Sequence, residues 1–261
     1  MPVHIGTSGW QYDHWRLRFY PESLAKSKWL QYYAERFQTV EVDSTFYRLP
    51  SAPIFERWRD TTPADFKLAL KASRFLTHLK RLHEPAEPVH TLMARAQLLG
   101  EKLGPVLLQL PPTLRIDIKA LGLVLEQFPP TARVAVEARH DSWYTESTAQ
   151  CLQDHGAAWC LSDVAGWHPP LWRTASWGYL RFHRGTSGGS PCYQRRSLGR
   201  WAERIATLWK SHETVYAFFN NDAEACALHD ARSFGKAIES TGLIPTRVDA
   251  NEPGDRLPGL A

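Results

Sequence analysis

The chain has 261 residues, of which 43% are hydrophobic and 22% charged, and its 31 Lys plus Arg against 27 Asp plus Glu give a net charge of +4. That balance excludes a disordered or fibrous polymer, gives only weak support to a nucleic-acid-binding surface, and leaves room for one domain with a large core. No apolar run is long enough to cross a membrane, and the first residues lack the basic, apolar and small-residue succession of a signal peptide, so a soluble cytoplasmic protein is expected.

In chain order, the first apolar run covers residues 3–6 and leads into Gly6-Thr7-Ser8-Gly9. These glycines serve either a tight turn or the close approach of something to the strand end, and the sequence leaves both open. Residues 26–37 form a helical stripe in which Trp29, Tyr33 and Phe37 recur every fourth residue beside Leu30 and Ala34. The second run, 39–42, reaches Asp43, and the third, 66–70, reaches Lys71. The connection over residues 73–88 is long and basic, with Arg74, His78, Lys80, Arg81 and His83. A stripe over residues 89–103 is expected to stop at Gly104-Pro105, ahead of the fourth run at 106–110. The fifth run, 133–137, ends at Glu137; the sixth, 158–161, leads to Asp163; the seventh, 179–182, leads to His183. Between the sixth and seventh lie Gly166, Pro169 and Pro170 with a weak helical period, so the sixth helix is expected to be short or missing. A stripe through Leu198, Trp201, Ile205, Leu208 and Trp209 precedes the eighth run, 215–219, which reaches Asn220. A last helix is expected behind Asp222, a residue suited to an N-cap, through Ala225, Leu228 and Ile238. Residues 1–240 are read as one domain, and residues 241–261, rich in Pro and Gly, as an irregular tail.

Strand-like and helical runs alternate, which predicts an α/β fold with a parallel sheet, a (β/α)8 TIM barrel. Such a barrel gathers the strand ends around one mouth, where enzymes of this fold build their sites. Within an extended strand residues i and i+2 point the same way, so Glu137 lies with Arg139 and Arg181 with His183. A carboxylate beside Arg is ionised and oriented, and imidazole changes charge near neutral pH, so Glu137 and His183 are the expected acid/base pair. Structural ion pairs would use the same residues, but four ionisable groups at two strand ends exceed what packing needs. The expected substrate contacts are Ser8, Trp10, Tyr47, Lys71, His78, Gln109, Arg139, Arg181, Asn220 and Asn221: rings to stack, cations to hold an anion, amides to orient it. The glycine-rich residues 185–190, Arg181 and the helix behind Asp222 are expected to bind that anion together. The four cysteines, Cys151, Cys160, Cys192 and Cys226, show no CxxC pair and are read as reduced thiols.

These residues point to an enzyme of the hydrolase, lyase or isomerase class. Its substrate would be a small anion, phosphate-bearing or like a sugar phosphate, and no cofactor or metal is required. One alternative is a metal-dependent isomerase-like or endonuclease-like barrel with Glu137, Asp163, His183 and Asp222 as ligands, ranked lower because two arginines would repel the cation. Another is a nucleic-acid-binding protein without catalysis, using the basic connection and stacked tryptophans. A retaining glycosidase would need paired carboxylates where the fourth and seventh runs end in Gln109 and His183.

Several blocks carry a family resemblance. They are Gly6-Thr7-Ser8-Gly9-Trp10 with Tyr12, Trp15 and Phe19-Tyr20-Pro21, then Val40-Glu41-Val42-Asp43-Ser44-Thr45-Phe46-Tyr47-Arg48 and Thr77-His78. Leu108-Gln109-Leu110-Pro111-Pro112, Glu137-Ala138-Arg139 with Ser142-Trp143, Tyr179-Leu180-Arg181-Phe182-His183 and Phe219-Asn220-Asn221-Asp222 follow in order. Together they resemble the domain of unknown function 72 family, also called YecE-like. The resemblance implies a TIM barrel and says little of the reaction. Ala138 departs from the commoner Glu-Phe-Arg block, and Asp43 stands where Asn is frequent.

Overall fold

Each apolar run becomes a strand because it is short, rich in aliphatic and aromatic residues, and buried on both faces, as a covered parallel sheet requires. The strands are β1 (Pro2–Thr7), β2 (Thr39–Val42), β3 (Lys67–Lys71), β4 (Leu103–Leu110), β5 (Val134–Ala138), β6 (Ala158–Asp163), β7 (Trp177–Phe182) and β8 (Thr214–Phe219), with a ninth, β9 (Ile244–Pro245). They belong to a computed structural model that describes residues 2–164, 168–183 and 191–248. All nine strands join one curled parallel sheet in the order β2-β3-β4-β5-β6-β7-β8-β1-β9. Helices α1 (Trp29–Arg36), α2 (Ser44–Tyr47), α3 (Ala52–Thr61), α4 (Ala86–Ala96), α5 (Ile118–Leu125), α6 (Glu146–Asp154), α7 (Arg195–Leu208) and α8 (Cys226–Ser240) fill the connections. No helix among the described residues is long and apolar enough to cross a membrane.

Alternation along the strands makes two cores. Outward residues such as Val40, Leu108, Val136, Leu180 and Phe182 pack with the helices into the larger one. Inward residues form the smaller, which holds Ala69, Leu107, Cys160, Trp177, Tyr179 and Phe218. On β7 the inward positions read Trp177, Tyr179, Arg181 and then His183 just past the strand, so one strand carries the concave face from apolar to charged.

β1 and β2, near opposite ends of the sheet, approach each other. Ser8 bridges to Glu41 in parallel fashion, and the Gly9 N–H donates to the Glu41 carbonyl at 2.8 Å. A Cβ on Gly6 would sit 2.2 Å from the Thr39 carbonyl oxygen, so this glycine admits the neighbouring backbone. Gly9 turns the chain with a φ of +94°. Both openings are therefore filled by the protein's own chain.

Several expectations are corrected. The helix ahead of β4 ends at Ala96 and passes into a 3-10 segment, while Gly104 and Pro105 lie inside β4. There the register with β3 shifts between Leu68 and Leu70, a local irregularity that accommodates a proline unable to donate to the ladder. The last helix begins at Cys226, not behind Asp222, because Glu224 and Ala225 take positive φ, and Asp222 caps nothing with its side chain. Residues past 241 are not wholly irregular: β9 pairs with β1, and the Gln38 N–H donates to the Arg247 carbonyl at 3.0 Å. Cys192 and Cys226 are joined in a disulfide, so only Cys151 and Cys160 are free thiols. As expected, no helix lies between β6 and β7 among the described residues.

Candidate active site

Arg181 on β7 is the centre of the charged end. Its side chain is 1% exposed, so its charge must be met inside the protein. Nη1 donates to Glu137 Oε2 at 2.8 Å, and Nη2 and Nε donate to Glu41 Oε1 at 2.7 and 3.2 Å. Glu41 also accepts from Ser8 Oγ at 2.6 Å and from the Tyr179 hydroxyl at 2.6 Å. Burial pushes the Glu41 carboxyl up, but Arg181 and Lys71 outweigh it and hold the group below its usual range.

Glu137 accepts four hydrogen bonds. Oε1 receives His183 Nε2 at 2.6 Å and Ser162 Oγ at 2.8 Å; Oε2 receives Arg181 and, at 3.3 Å, Arg139 Nη2. Burial again pushes the carboxyl up, yet Arg181, His183 and Arg139 hold it well below the usual carboxylate range. Because that oxygen only accepts, the Nε2 of His183 donates to it. The other ring nitrogen, Nδ1, accepts from the Asn220 amide at 3.2 Å. Two flanking groups thereby set the tautomer of the imidazole.

Around this centre runs a rim. Lys71 Nζ lies 3.3 Å from Asp43 Oδ1 and 4.4 Å from the centre of the Phe46 ring. Burial and Glu41 raise the Asp43 carboxyl, against Arg181 and Lys71. His78 packs edge-on to Phe46 at 5.1 Å. Burial lowers its pKa, and the charged groups that lower it further, Arg74, Lys71 and Arg139, are all cations. Arg139 keeps a buried Nε with no hydrogen-bond partner. A cavity of about 380 Å³ opens beside β6, lined by Ser162, Asp163, His168, Arg200 and Arg204.

Of the residues expected at the site, contacts join Glu137, Arg139, Arg181, His183, Asn220, Ser8 and Lys71, and Gln109 stands in register beside Glu137. His78 belongs to the rim, and Tyr47, 77% exposed, lies edge-on to Phe46. Trp10 is buried in the larger core against Trp58. Asn221 turns away to the Pro191 carbonyl and Asp230. The alternative metal set is not gathered: Asp163 accepts from Trp201 at 3.2 Å, and Asp222 from Trp15 at 2.9 Å with His14 at 2.8 Å. The anion loop at residues 185–190 lies outside the described residues. Glu41, Tyr179 and Ser162 were missed. An acid inside the apolar run Val40-Glu41-Val42 was the available signal, since a buried carboxylate requires a partner.

A family model described as "Protein of unknown function DUF72" matches residues 4–253. The chain is 26% identical to the UPF0759 protein YunF of Bacillus subtilis, over 95% of this chain and 99% of that protein. It is 28% identical to the UPF0759 protein YecE of Escherichia coli, over 59% of this chain and 54% of that one. A crystal structure of a DUF72 family protein from Thermotoga maritima superposes with a TM-score of 0.79 at 28% identity, covering 92% of this chain and all of that one.

Proposed function

The chain belongs to the DUF72 family of proteins of unknown function, and we propose that it is an enzyme using His183 as acid and base on a small anionic, phosphate-bearing or sugar-phosphate-like substrate. One observation carries the reading: a His183 imidazole at the strand ends, hydrogen-bonded to a buried carboxylate at 2.6 Å beneath a rim of cations. Glu137, with four donors and a depressed pKa, stays ionised. It orients the ring and stabilises the imidazolium, so the proton moves at His183 alone. A substrate hydroxyl displaces the Asn220 amide and gives its proton to Nδ1; the imidazolium later returns it to the leaving or rearranged oxygen. The spare Nε of Arg139, the ammonium of Lys71 and, below its lowered pKa, His78 hold the anion. The Ser8–Glu41 bridge supports a (β/α)8 barrel closed between β1 and β2, which makes this rim the barrel mouth. A divalent metal has no oxygen left on Glu137 to bind and faces two arginines.

The test is turnover of a panel of phosphate esters and sugar phosphates. Once a substrate is found, His183→Gln should lose about 10²–10⁴-fold in kcat with an unchanged melting temperature. Arg139→Ala should raise KM. Full activity in His183→Gln, or activity abolished by EDTA and restored by Mn²⁺ or Zn²⁺, would reject the reading.

A further inference from the structure

The first turn of α8 presents Cys226, His229 and Asp230 at positions i, i+3 and i+4, one face of a helix. Facing them is Cys192, bonded to Cys226 across a sequence separation of 34 residues. The Cys192 sulfur, a His229 ring nitrogen and an Asp230 carboxylate oxygen all lie within 4.8 Å of one another. Asp230 is fully buried, and its two oxygens are used differently. Oδ2 is held by the Tyr193 N–H at 2.8 Å and by Asn221 Nδ2 at 2.7 Å, while Oδ1 faces His229 Nδ1 at 3.1 Å. A carboxylate clamped through one oxygen, with the other turned to an imidazole and a sulfur, is how proteins orient metal ligands. None of these groups has a part in the proton transfer at His183.

We propose that Cys192, Cys226, His229 and Asp230 form a zinc site, which the disulfide holds in its metal-free state. A thiol or phosphine reductant supplies two electrons and cleaves the S–S bond. Two thiol reductants become one disulfide, or a phosphine and water become phosphine oxide, and the protein gains two thiols. Zinc then binds both sulfurs as thiolates, with release of two protons, and takes His229 and Asp230 as its third and fourth ligands. Zinc–ligand bonds of about 2.0–2.3 Å put tetrahedral ligand atoms roughly 3.3–3.8 Å apart. The two sulfurs must therefore separate to admit the ion, while the ligand atoms of Cys192, His229 and Asp230 draw in by at most about 1.5 Å. Mixed sulfur, nitrogen and oxygen donors in tetrahedral reach favour Zn²⁺ over Mg²⁺ or Ca²⁺. Such a site would tie the segment after β7 to α8. Asn221 spans both, through the Pro191 carbonyl and Asp230, and its neighbour Asn220 touches His183.

The experiment uses the whole chain in two states, as oxidised protein and after phosphine reduction with the reductant removed under argon. Each is titrated with Zn²⁺ and with Co²⁺, whose sulfur-to-metal charge-transfer absorption reports thiolate ligation. Reduced protein is expected to retain one equivalent of zinc through gel filtration, show the cobalt band and melt at a higher temperature with zinc. Oxidised protein is expected to do none of these. His229→Ala should abolish stoichiometric retention, and Asn221→Ala should weaken zinc roughly 10–100-fold. Reduced wild type with no retained zinc and no sulfur band overturns the proposal. So does binding unchanged in His229→Ala. The wild-type comparison decides even where a variant fails to fold.

Discussion

At the N-terminal ends of the strands, His4, Trp177 and Tyr216 fill the concave face; at the C-terminal ends Glu41, Glu137 and Arg181 do. Both regions exclude water, but they treat ionisable groups differently. On the floor His4 stacks on Tyr216 at 4.8 Å, and burial, with Lys67 and Arg133, lowers its pKa to about 4, so the ring is neutral at pH 7. At the C-terminal ends the carboxylates and the guanidinium stay charged because each answers another. Tyr179 marks the boundary, its ring 5.2 Å from Phe218 and its hydroxyl on Glu41. The difference teaches what burial demands: neutralise the group, or pair it. Only the second leaves a fixed charge pattern for a ligand, and the apolar floor beneath it strengthens that pattern by lowering the local dielectric.

The comparison breaks first at Arg181. Arg181→Met would leave two buried carboxylates without their cation and should cost about 3–5 kcal/mol in denaturant unfolding at pH 7. A loss below about 1 kcal/mol would mean the charged end is wetter than its burial implies.

His4 tests the floor. Its folded pKa of about 4 lies below the 6.5 of an ordinary histidine, so between those values the unfolded chain binds more protons and stability rises with pH. The stabilisation is present above pH 6.5 and is lost as pH falls through about 4. Over that window His4→Phe should flatten the acid limb of the stability curve by roughly 3 kcal/mol. Superimposable curves for the two proteins would show that His4 is not held neutral.

Asp222 is an intermediate case, a carboxylate met by Trp15 and His14 but by no arginine. Burial raises its pKa from 3.8 to about 6 despite those two partners. Here the folded state binds the extra proton, so stability falls as pH rises from 3.8 to about 6. Asp222→Asn should be more stable than wild type by about 1–3 kcal/mol at pH 8, with the gain vanishing below pH 4. Equal melting temperatures at pH 8 would place Asp222 with the fully paired groups.

The strands were legible because each is a local apolar run, and so were the pairs Glu137 with Arg139 and Arg181 with His183, which need only a period of two. The meeting of β5 with β7 followed from the expected fold. Glu41 was harder, since one acid in a four-residue strand gives no period and its partner lies at the opposite side of the sheet. Trp10 and Asn221 were placed by residue type, and only packing shows that Trp10 faces Trp58 and Asn221 faces Asp230. β9 has two residues, too few for a pattern, and exists because β1 offers an edge. The Cys192–Cys226 bond depends on the loop after β7 meeting α8, which no spacing of cysteines encodes.

β1 lies between β8 and β9, although β1 spans Pro2–Thr7 and its two neighbours span Thr214–Phe219 and Ile244–Pro245. During synthesis its edge must wait for β8 and β9 until the long stretch of chain between them has left the ribosome. High contact order of this kind slows folding and exposes an edge to other chains, which puts a demand on chaperones that the finished molecule does not reveal. A circular permutant opening at α1, with β1 joined on after β9, would bring these neighbours together in time as well as in space. It should refold faster than the natural order at equal stability.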